Sequence, residues 1–227
     1  MPANSTETLS NPPRPIVIVG AGGHAISVAN VALAAGFEIR CFFDVNRRNS
    51  SLLGFPIIDE WSELSNTSHS EIAIAIGDNS VRERVYLDFE TRYDGLRFPP
   101  LIHPSAVVSS FTRIEEGAVI MPHATVGPNS RVEKFCIVNT QASIDHDCTM
   151  HAFSSIAPGA ITGGGVTIGY RSAVSIGATI KHGIRIGNDS VLGANSYLNK
   201  DLASERMAYG SPAREIRPHR RGDTYLK

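Results

Sequence analysis

Apolar residues along the chain follow two different rhythms. Through the first hundred residues they fall in short blocks parted by glycine-rich or charged breaks. Pro15-Ile16-Val17-Ile18-Val19 is apolar throughout, as a parallel strand covered on both faces must be. Gly20-Ala21-Gly22-Gly23 breaks it, and His24 to Ala35 then reads as a helix closed by Gly36. Phe37 to Phe43 is a second strand, ending at Asp44, and Glu71 to Ile76 a third, stopped by Gly77-Asp78-Asn79. Ser80 to Tyr93 reads as a charged amphipathic helix, and Leu96-Arg97-Phe98 as a last short strand before Pro99-Pro100. Strands alternate with helices, which predicts a small α/β, Rossmann-like domain of the doubly wound kind over 15–100.

From Ile102 the rhythm changes to six. Stepping by six meets Ile102, Val108, Ile114, Ile120, Val126, Val132, Val138, Ile144, Met150, Ile156, Thr162, Ile168, Val174, Ile180, Ile186, Leu192 and Leu198; only Thr162 is neither aliphatic nor Met. Four residues after each comes a second, mostly small series that includes Ala124, Ser130, Cys136, Ala142, Cys148, Ala160 and Ala178. No insertion breaks the phase. A period of six fits neither a helix, at 3.6, nor an alternating strand, at 2. It resembles the hexapeptide repeat of left-handed parallel β-helices. That resemblance implies three repeats, or eighteen residues, per triangular coil, and five to six coils over 101–203. Both series then point inward, so Cys136 and Cys148 are expected in the core.

Composition narrows the function. The formal charge is -1, from 21 Lys+Arg against 22 Asp+Glu. A general nucleic-acid binder or an anionic-membrane protein would need a basic surplus. No apolar run reaches the ~18 residues of a membrane span. Aromatics are 7% of the chain beside 20 Gly and 13 Pro, so the core is aliphatic and the chain turns often. Residues 1–14 are polar, without an apolar signal region, and read as a flexible lead-in. Three cysteines form no disulfide framework, and a cytoplasmic location is expected.

An eighteen-residue coil stacks residues eighteen or thirty-six apart. His146 and His182 therefore share a column, with Gly164 between them. The peptide N–H near Gly164 is expected roughly 5 Å above His146, from strand spacing. A general base beneath an oxyanion donor is the pair that acyl transfer requires. Gly163-Gly164-Gly165 removes side chains there, which admits a ligand to the backbone. Asp145 and Asp147 flank His146, and either can fix the imidazole tautomer; spacing leaves the choice open. Asn139, one repeat earlier, is a candidate for binding the acceptor.

Several motifs in order carry a wider resemblance: Val19-Gly20-Ala21-Gly22-Gly23-His24, Phe42-Phe43-Asp44, Ile76-Gly77-Asp78-Asn79, Asn139-Thr140, Ile144-Asp145-His146-Asp147 and Ala157-Pro158-Gly159-Ala160. Together they resemble the sugar O-/N-acyltransferases of the sialic-acid O-acetyltransferase type. That group includes N-acetyltransferases acting on nucleotide-linked 4-amino-4,6-dideoxyhexoses. The resemblance runs from Pro15 to about Pro218. It implies an N-terminal domain that holds the sugar nucleotide, and acetyl-CoA, with no metal, in a groove between subunits of a homotrimer. It implies His146 as catalytic base, Asp147 as its supporting carboxylate and Gly164 as the oxyanion or thioester contact. Acceptor contacts fall on Asn139, Gly22, Gly23, His24, Asp44 and Asp78. Acetyl-CoA contacts fall on Ser155, Gly164, Gly165, Ala178 and His182. Tyr209-Gly210-Ser211-Pro212-Ala213-Arg214 resembles the usual end of CoA-binding β-helix enzymes. Many relatives carry a His, near the acetyl-CoA sulfur, where this chain has Ser155, which leaves His146 as the acid/base. The expected activity is N-acetylation of a UDP-, GDP- or dTDP-linked amino sugar, with O-acetylation as the alternative.

Other readings fit less of the chain. Gly20-x-Gly22-x-x-Ala25 with Asp44 meets a dinucleotide pattern, but about 85 residues precede the repeat, too few for a full two-part oxidoreductase. His146 and His151 have spacing suggestive of γ-class carbonic anhydrases, but the stacked position two coils back from His146 is Ser110. A non-catalytic scaffold leaves the His146–Gly164 column without a purpose. The basic segment 204–227, with Arg214, Arg217, His219, Arg220, Arg221 and Lys227, suits either the phosphates of CoA or a solvated tail.

Overall fold

The computed structural model describes residues 14–47, 50–63 and 71–225. The lead-in at 1–13 and Lys227 lie outside the described residues. Strand β1 (Arg14–Val19) is followed by helix α1 (Gly23–Ala34), β2 (Phe37–Phe43), the hairpin β3 (Ser50–Leu52) and β4 (Phe55–Ile58), β5 (Glu71–Ile74) and α2 (Asn79–Arg92). The sheet order is β3-β4-β2-β1-β5, parallel except for β3. Ile16 and Ile18 face α1, while Val17 and Val19 face Phe89 of α2, so each side of β1 is covered. That two-sided burial is why β1 is apolar at every position. The expected strand at Leu96-Arg97-Phe98 reduces to a single bridge between Arg97 and Glu71. The β3–β4 hairpin gave no signal at the sequence level, because Pro56 and the polar Ser50-Ser51 interrupt any alternation.

The repeat folds as a left-handed parallel β-helix with three faces, built from two-residue strands between Leu101–Ile102 and Tyr197–Leu198. The first face holds strands at 101–102, 119–120, 137–138, 155–156, 173–174 and 191–192, and continues into Arg206–Gly210 and Ala213–Pro218. The second face begins at 107–108 and the third at 113–114. The six-step aliphatic series fills the prism interior together with Ala118, Ala124, Cys136, Ala142, Cys148, Ala160 and Ala178. Corners turn through left-handed residues, among them Asn129, Phe135, Asp147, Phe153 and Arg171, with φ between 54° and 58°. Each such non-glycine residue costs roughly 1–2 kcal/mol, which stacking on the next coil must offset.

The α/β domain rests on the first face and on the edge between the third and first faces. Leu101, Val119 and Met121 join the α1 core. Phe135 and Phe153, parallel rings with centroids 5.2 Å apart, join the α2 core beside Tyr86 and Phe98. Arg82 of α2 is buried at this joint. Its guanidinium donates to the carbonyls of Ile76, Gly77, Phe135 and Phe153 and to Asn79 Oδ1, at 2.7–3.0 Å.

The basic tail is largely exposed but is anchored to the rest of the chain at three points. His219 is buried against the Asp189 carbonyl, and Arg221 pairs with Glu83 at 2.7 Å. Glu83 also holds Arg171, which holds Asp189. Tyr225 covers Ala173, Val191 and Met207 on the first face. Arg214, Arg217 and Arg220 stay exposed.

Cys41, Cys136 and Cys148 are buried, and none is paired in a disulfide among the described residues. Burial pushes the Cys136 thiol up to about 11 and raises that of Cys148. At neutral pH neither is expected to react with a disulfide reagent until the chain is denatured, since the thiolate is the reactive form. Rapid labelling of the native protein at either position would contradict this packing.

Candidate functional site

Two arrangements of chemistry-bearing residues stand out, on different parts of the molecule. The first is a cavity of about 700 Å³ in the α/β domain. Gly20 to His24, Asp44 to Asn46, Ile76-Gly77 and the α2 residues Arg84 and Asp88 line it. Gly20 has φ +105°, and a Cβ there would meet the Ala75 carbonyl at 3.1 Å, so the close turn out of β1 requires glycine. The α1 N-terminus at Gly22 has no side-chain cap and no acidic residue in its first turn. Such a helix start favours an anion. Asp44 braces the loop by accepting the amides of Ala21 at 2.9 Å and Asn46 at 3.0 Å.

His24 lines this cavity with a buried Nε2 that has no hydrogen-bond partner among the described residues. Burial, helped by the charge of Arg82, lowers its pKa to about 4. It is therefore neutral near pH 7 and offers a polar contact rather than a positive charge. Asp78 is placed differently: its carboxylate caps α2 through the Val81 amide at 2.9 Å, and it does not line the cavity.

The second arrangement lies on the edge between the second and third faces. The turn Asp145 to Cys148 joins the strands Ser143–Ile144 and Thr149–Met150. Asp147 reaches the ring, with Oδ2 2.6 Å from His146 Nδ1. Asp145 instead accepts the His146 amide at 2.8 Å. The hydrogen bond to Asp147, and then the charge of Asp145, raise the His146 pKa. The Asp147 pKa is lowered by its bonds to His146 and Asn129. The two shifts agree in direction, as a hydrogen-bonded ion pair demands.

The turn is fixed from both neighbouring coils. Below, the Pro128 carbonyl accepts the Asp147 amide at 3.0 Å, and Ser130 Oγ donates to the Asp145 carbonyl at 2.8 Å. Above, the Gly165 amide donates to the His146 carbonyl at 2.9 Å. Gly164 lies against the imidazole: a Cβ there would come within 2.4 Å of Cε1 and 2.5 Å of Nε2. The Gly164 amide meets no acceptor among the described residues. His182 stands one coil further, exposed, with its amide 2.8 Å from a Cβ built at Gly163.

The remaining expected residues are dispersed. Asn139 is on the edge between the first and second faces, where its Oδ1 accepts the Thr140 amide at 2.8 Å. One side of the prism separates it from His146, on the order of 15 Å at ~3.3 Å per extended residue. Ser155 is on the first face and half-buried. Ala178 is fully buried inside the prism, so its side chain cannot contact acetyl-CoA. It belongs to the small inward series, and the repeat itself carried that signal. His151 pairs with Glu133 at 3.3 Å, away from His146. Among the described residues no three His, Cys, Asp or Glu side chains converge as a metal site. No helix among them is long and apolar enough to cross a membrane.

Three residues of consequence escaped the sequence reading. Asn129 lies eighteen positions before Asp147 and was legible from the coil length. Arg82 and Tyr225 act across the domain joint, which no local pattern reveals.

Known proteins can be set beside this geometry. A family model described as the PglD N-terminal domain matches residues 15–89. A single-substitution variant of the GDP-perosamine N-acetyl transferase from Caulobacter crescentus, in complex with CoA and GDP-perosamine, superposes with a TM-score of 0.84 at 31% identity, covering 89% of this chain and 96% of that one. The acetyltransferase domain of PglB from Neisseria gonorrhoeae FA1090, in complex with acetyl coenzyme A, gives 0.84 at 34% identity, covering 90% and 100%. Among curated proteins, an uncharacterized protein of Acanthamoeba polyphaga mimivirus is 31% identical over 70 residues; the chain spans 14% of that relative's length.

Proposed function

Since the chain belongs to the family of left-handed β-helix sugar acyltransferases with a PglD-type N-terminal domain, we propose that it transfers acetyl from acetyl-CoA to the 4-amino group of a nucleotide-linked 4-amino-4,6-dideoxyhexose. The enzyme is an acyltransferase. The observation that carries the specific reading is His146, tied to Asp147 at 2.6 Å and set against the bare backbone of Gly164. Residues 15–100 would hold the sugar nucleotide, with Gly22, Gly23, His24 and Asp44 at the cavity wall. Residues 101–203 would hold acetyl-CoA beside Gly164, Gly165 and His182.

In this mechanism the neutral amine attacks the thioester carbonyl while His146 Nε2 takes its proton. The Gly164 amide donates to the oxyanion, a contribution worth roughly 3–4 kcal/mol when well aligned. The C–S bond then breaks, and the proton on His146 passes to the departing thiolate. Transfer is direct, because Cys136 and Cys148 are buried in the prism and present no nucleophile.

The site needs a second copy of the chain. His146 and Asn139 lie on different edges of the prism and the cavity lies in the α/β domain, so a single chain does not gather them. The second face supports an interface: Val107, Ile161 and Tyr197 point outward from it, 65%, 48% and 37% exposed, with Phe111 at 80% on its margin. A homotrimer would cover that face and bring one subunit's acceptor to another's His146. Three buried cysteines outside any disulfide and an acetyl-CoA co-substrate suit a cytoplasmic setting.

The test is a free-thiol assay with acetyl-CoA and UDP-, GDP- and dTDP-linked 4-amino-4,6-dideoxyhexoses, beside their 4-hydroxy counterparts and sialic acid. CoA release with an amino sugar is expected. Release only with hydroxyl acceptors would replace N- by O-acetylation. Silence throughout, with folded protein, would overturn the reading.

A further inference from the structure

The carboxylate beside His146 is itself held from the coil below. Asn129 and Asp147 occupy the same corner position, eighteen residues apart, both in the left-handed region with φ +57°. Asn and Asp tolerate that conformation better than most residues. It sends their side chains outward, one above the other. Asn129 Nδ2 donates to Asp147 Oδ1 at 2.5 Å, while Asp147 Oδ2 lies 2.6 Å from His146 Nδ1. An ionised carboxylate only accepts, so both of its neighbours must donate: Asn129 through its amide N–H and His146 through Nδ1–H.

We propose that Asn129 is a positioning residue that fixes the Asp147 carboxylate and, through it, holds His146 in the tautomer with Nε2 unprotonated. Both Asp147 and His146 have side chains more than half exposed in the single chain, so packing alone does not fix their planes. With one oxygen pinned by Asn129, the carboxylate presents the other to the ring. Gly164 covers the face of the ring, where a Cβ would stand 2.4 Å from Cε1 and 2.5 Å from Nε2, and the Nε2 lone pair stays in the ring plane, free to take a proton. Removing Asn129 frees the carboxylate to rotate and to bond water. The inference rests on the reading of His146 as the base, yet it makes a claim about the ring that needs no turnover to examine.

Histidine ring 15N shifts distinguish the two neutral tautomers, and a His146→Gln spectrum assigns the signal among the 8 histidines. In the full-length protein above the His146 pKa, the ring is expected to be almost wholly Nδ1–H. In Asn129→Ala it is expected to become a mixture of both forms, with the fold unchanged by circular dichroism. In the acetyl-transfer assay, Asn129→Ala should lose roughly 10–100-fold in kcat, the usual effect of removing an outer-shell partner, with KM for both substrates within about twofold. Asn129→Asp keeps the shape but cannot donate when ionised. It should fail to restore kcat and should move the acidic limb of the rate profile to higher pH. A tautomer ratio unchanged in Asn129→Ala, or a mixture already present in the wild type, overturns the inference. If His146→Ala keeps full activity while the tautomer ratio responds to Asn129, the base assignment falls and the positioning role stands.

Discussion

Replacing His146 by alanine is expected to lower kcat by roughly 10²–10⁴-fold, the span seen when a general base is removed. The loss should appear in kcat more than in KM, because the imidazole acts as the bond forms and not on the resting substrates. Stability should hardly change, since the His146 side chain is exposed and its backbone bonds, with the Gly165 amide and the Asp145 carboxylate, do not involve the ring. The same residue sets the pH dependence. The hydrogen bond to Asp147 raises its pKa above the ordinary imidazole value of ~6.5. The active form is the neutral ring, so activity should rise with pH through that raised pKa and fall away below it. Rates measured from pH 5 to 9 for wild type and His146→Gln provide the check. An alanine variant within tenfold of wild type, or a wild-type rate that climbs as the pH drops below 6, would exclude His146 as the base.

The second large effect is structural. Arg82→Met is expected to destabilise the protein by about 3–5 kcal/mol, the range for breaking a buried charged network. The guanidinium makes five hydrogen bonds, and four go to carbonyls of three segments: Ile76 and Gly77 beside the cavity, and Phe135 and Phe153 on two coils of the prism. Methionine fills much of the volume but leaves those acceptors unpaired in a buried place, each at about 1–3 kcal/mol. Relief from burying a charge returns part of this, which keeps the total below the plain sum. Burial itself lowers the Arg82 pKa, a sign of that desolvation cost. Urea unfolding at matched protein concentration measures the difference. A change below about 1 kcal/mol would mean that the joint rests on the aromatic contacts alone.

Much of this architecture could be read from residue order because the repeat is an averaging signal. One Thr162 among the aliphatic positions does not disturb a phase carried by all the others. The same regularity sets Gly164 against His146, eighteen residues away. The choice between Asp145 and Asp147 was not legible, because both sit next to the ring in sequence. The left-handed φ of Asp147 decides it, by turning that side chain outward while Asp145 folds back onto the amide of His146. The resemblance put Asp78 among the acceptor contacts, yet the start of α2 claims its carboxylate. The anchoring of the tail was not legible from its charge. Its arginines are basic in isolation, but Glu83 takes Arg221, and the apolar ring of Tyr225 finds the first face.

An uninterrupted hexad constrains how such a chain can change its length. Deleting one residue from a corner between 103 and 197 would turn every later coil by one position, exposing aliphatic side chains and driving polar ones into the prism. A loop on an ordinary sheet protein absorbs such a change locally; here it spreads to the end of the helix. Only the gain or loss of a whole coil restores the pattern. The heritable unit of variation in this half of the molecule is therefore the eighteen-residue turn, and the distance between the edge bearing His146 and the last coil can change only in steps of one strand spacing.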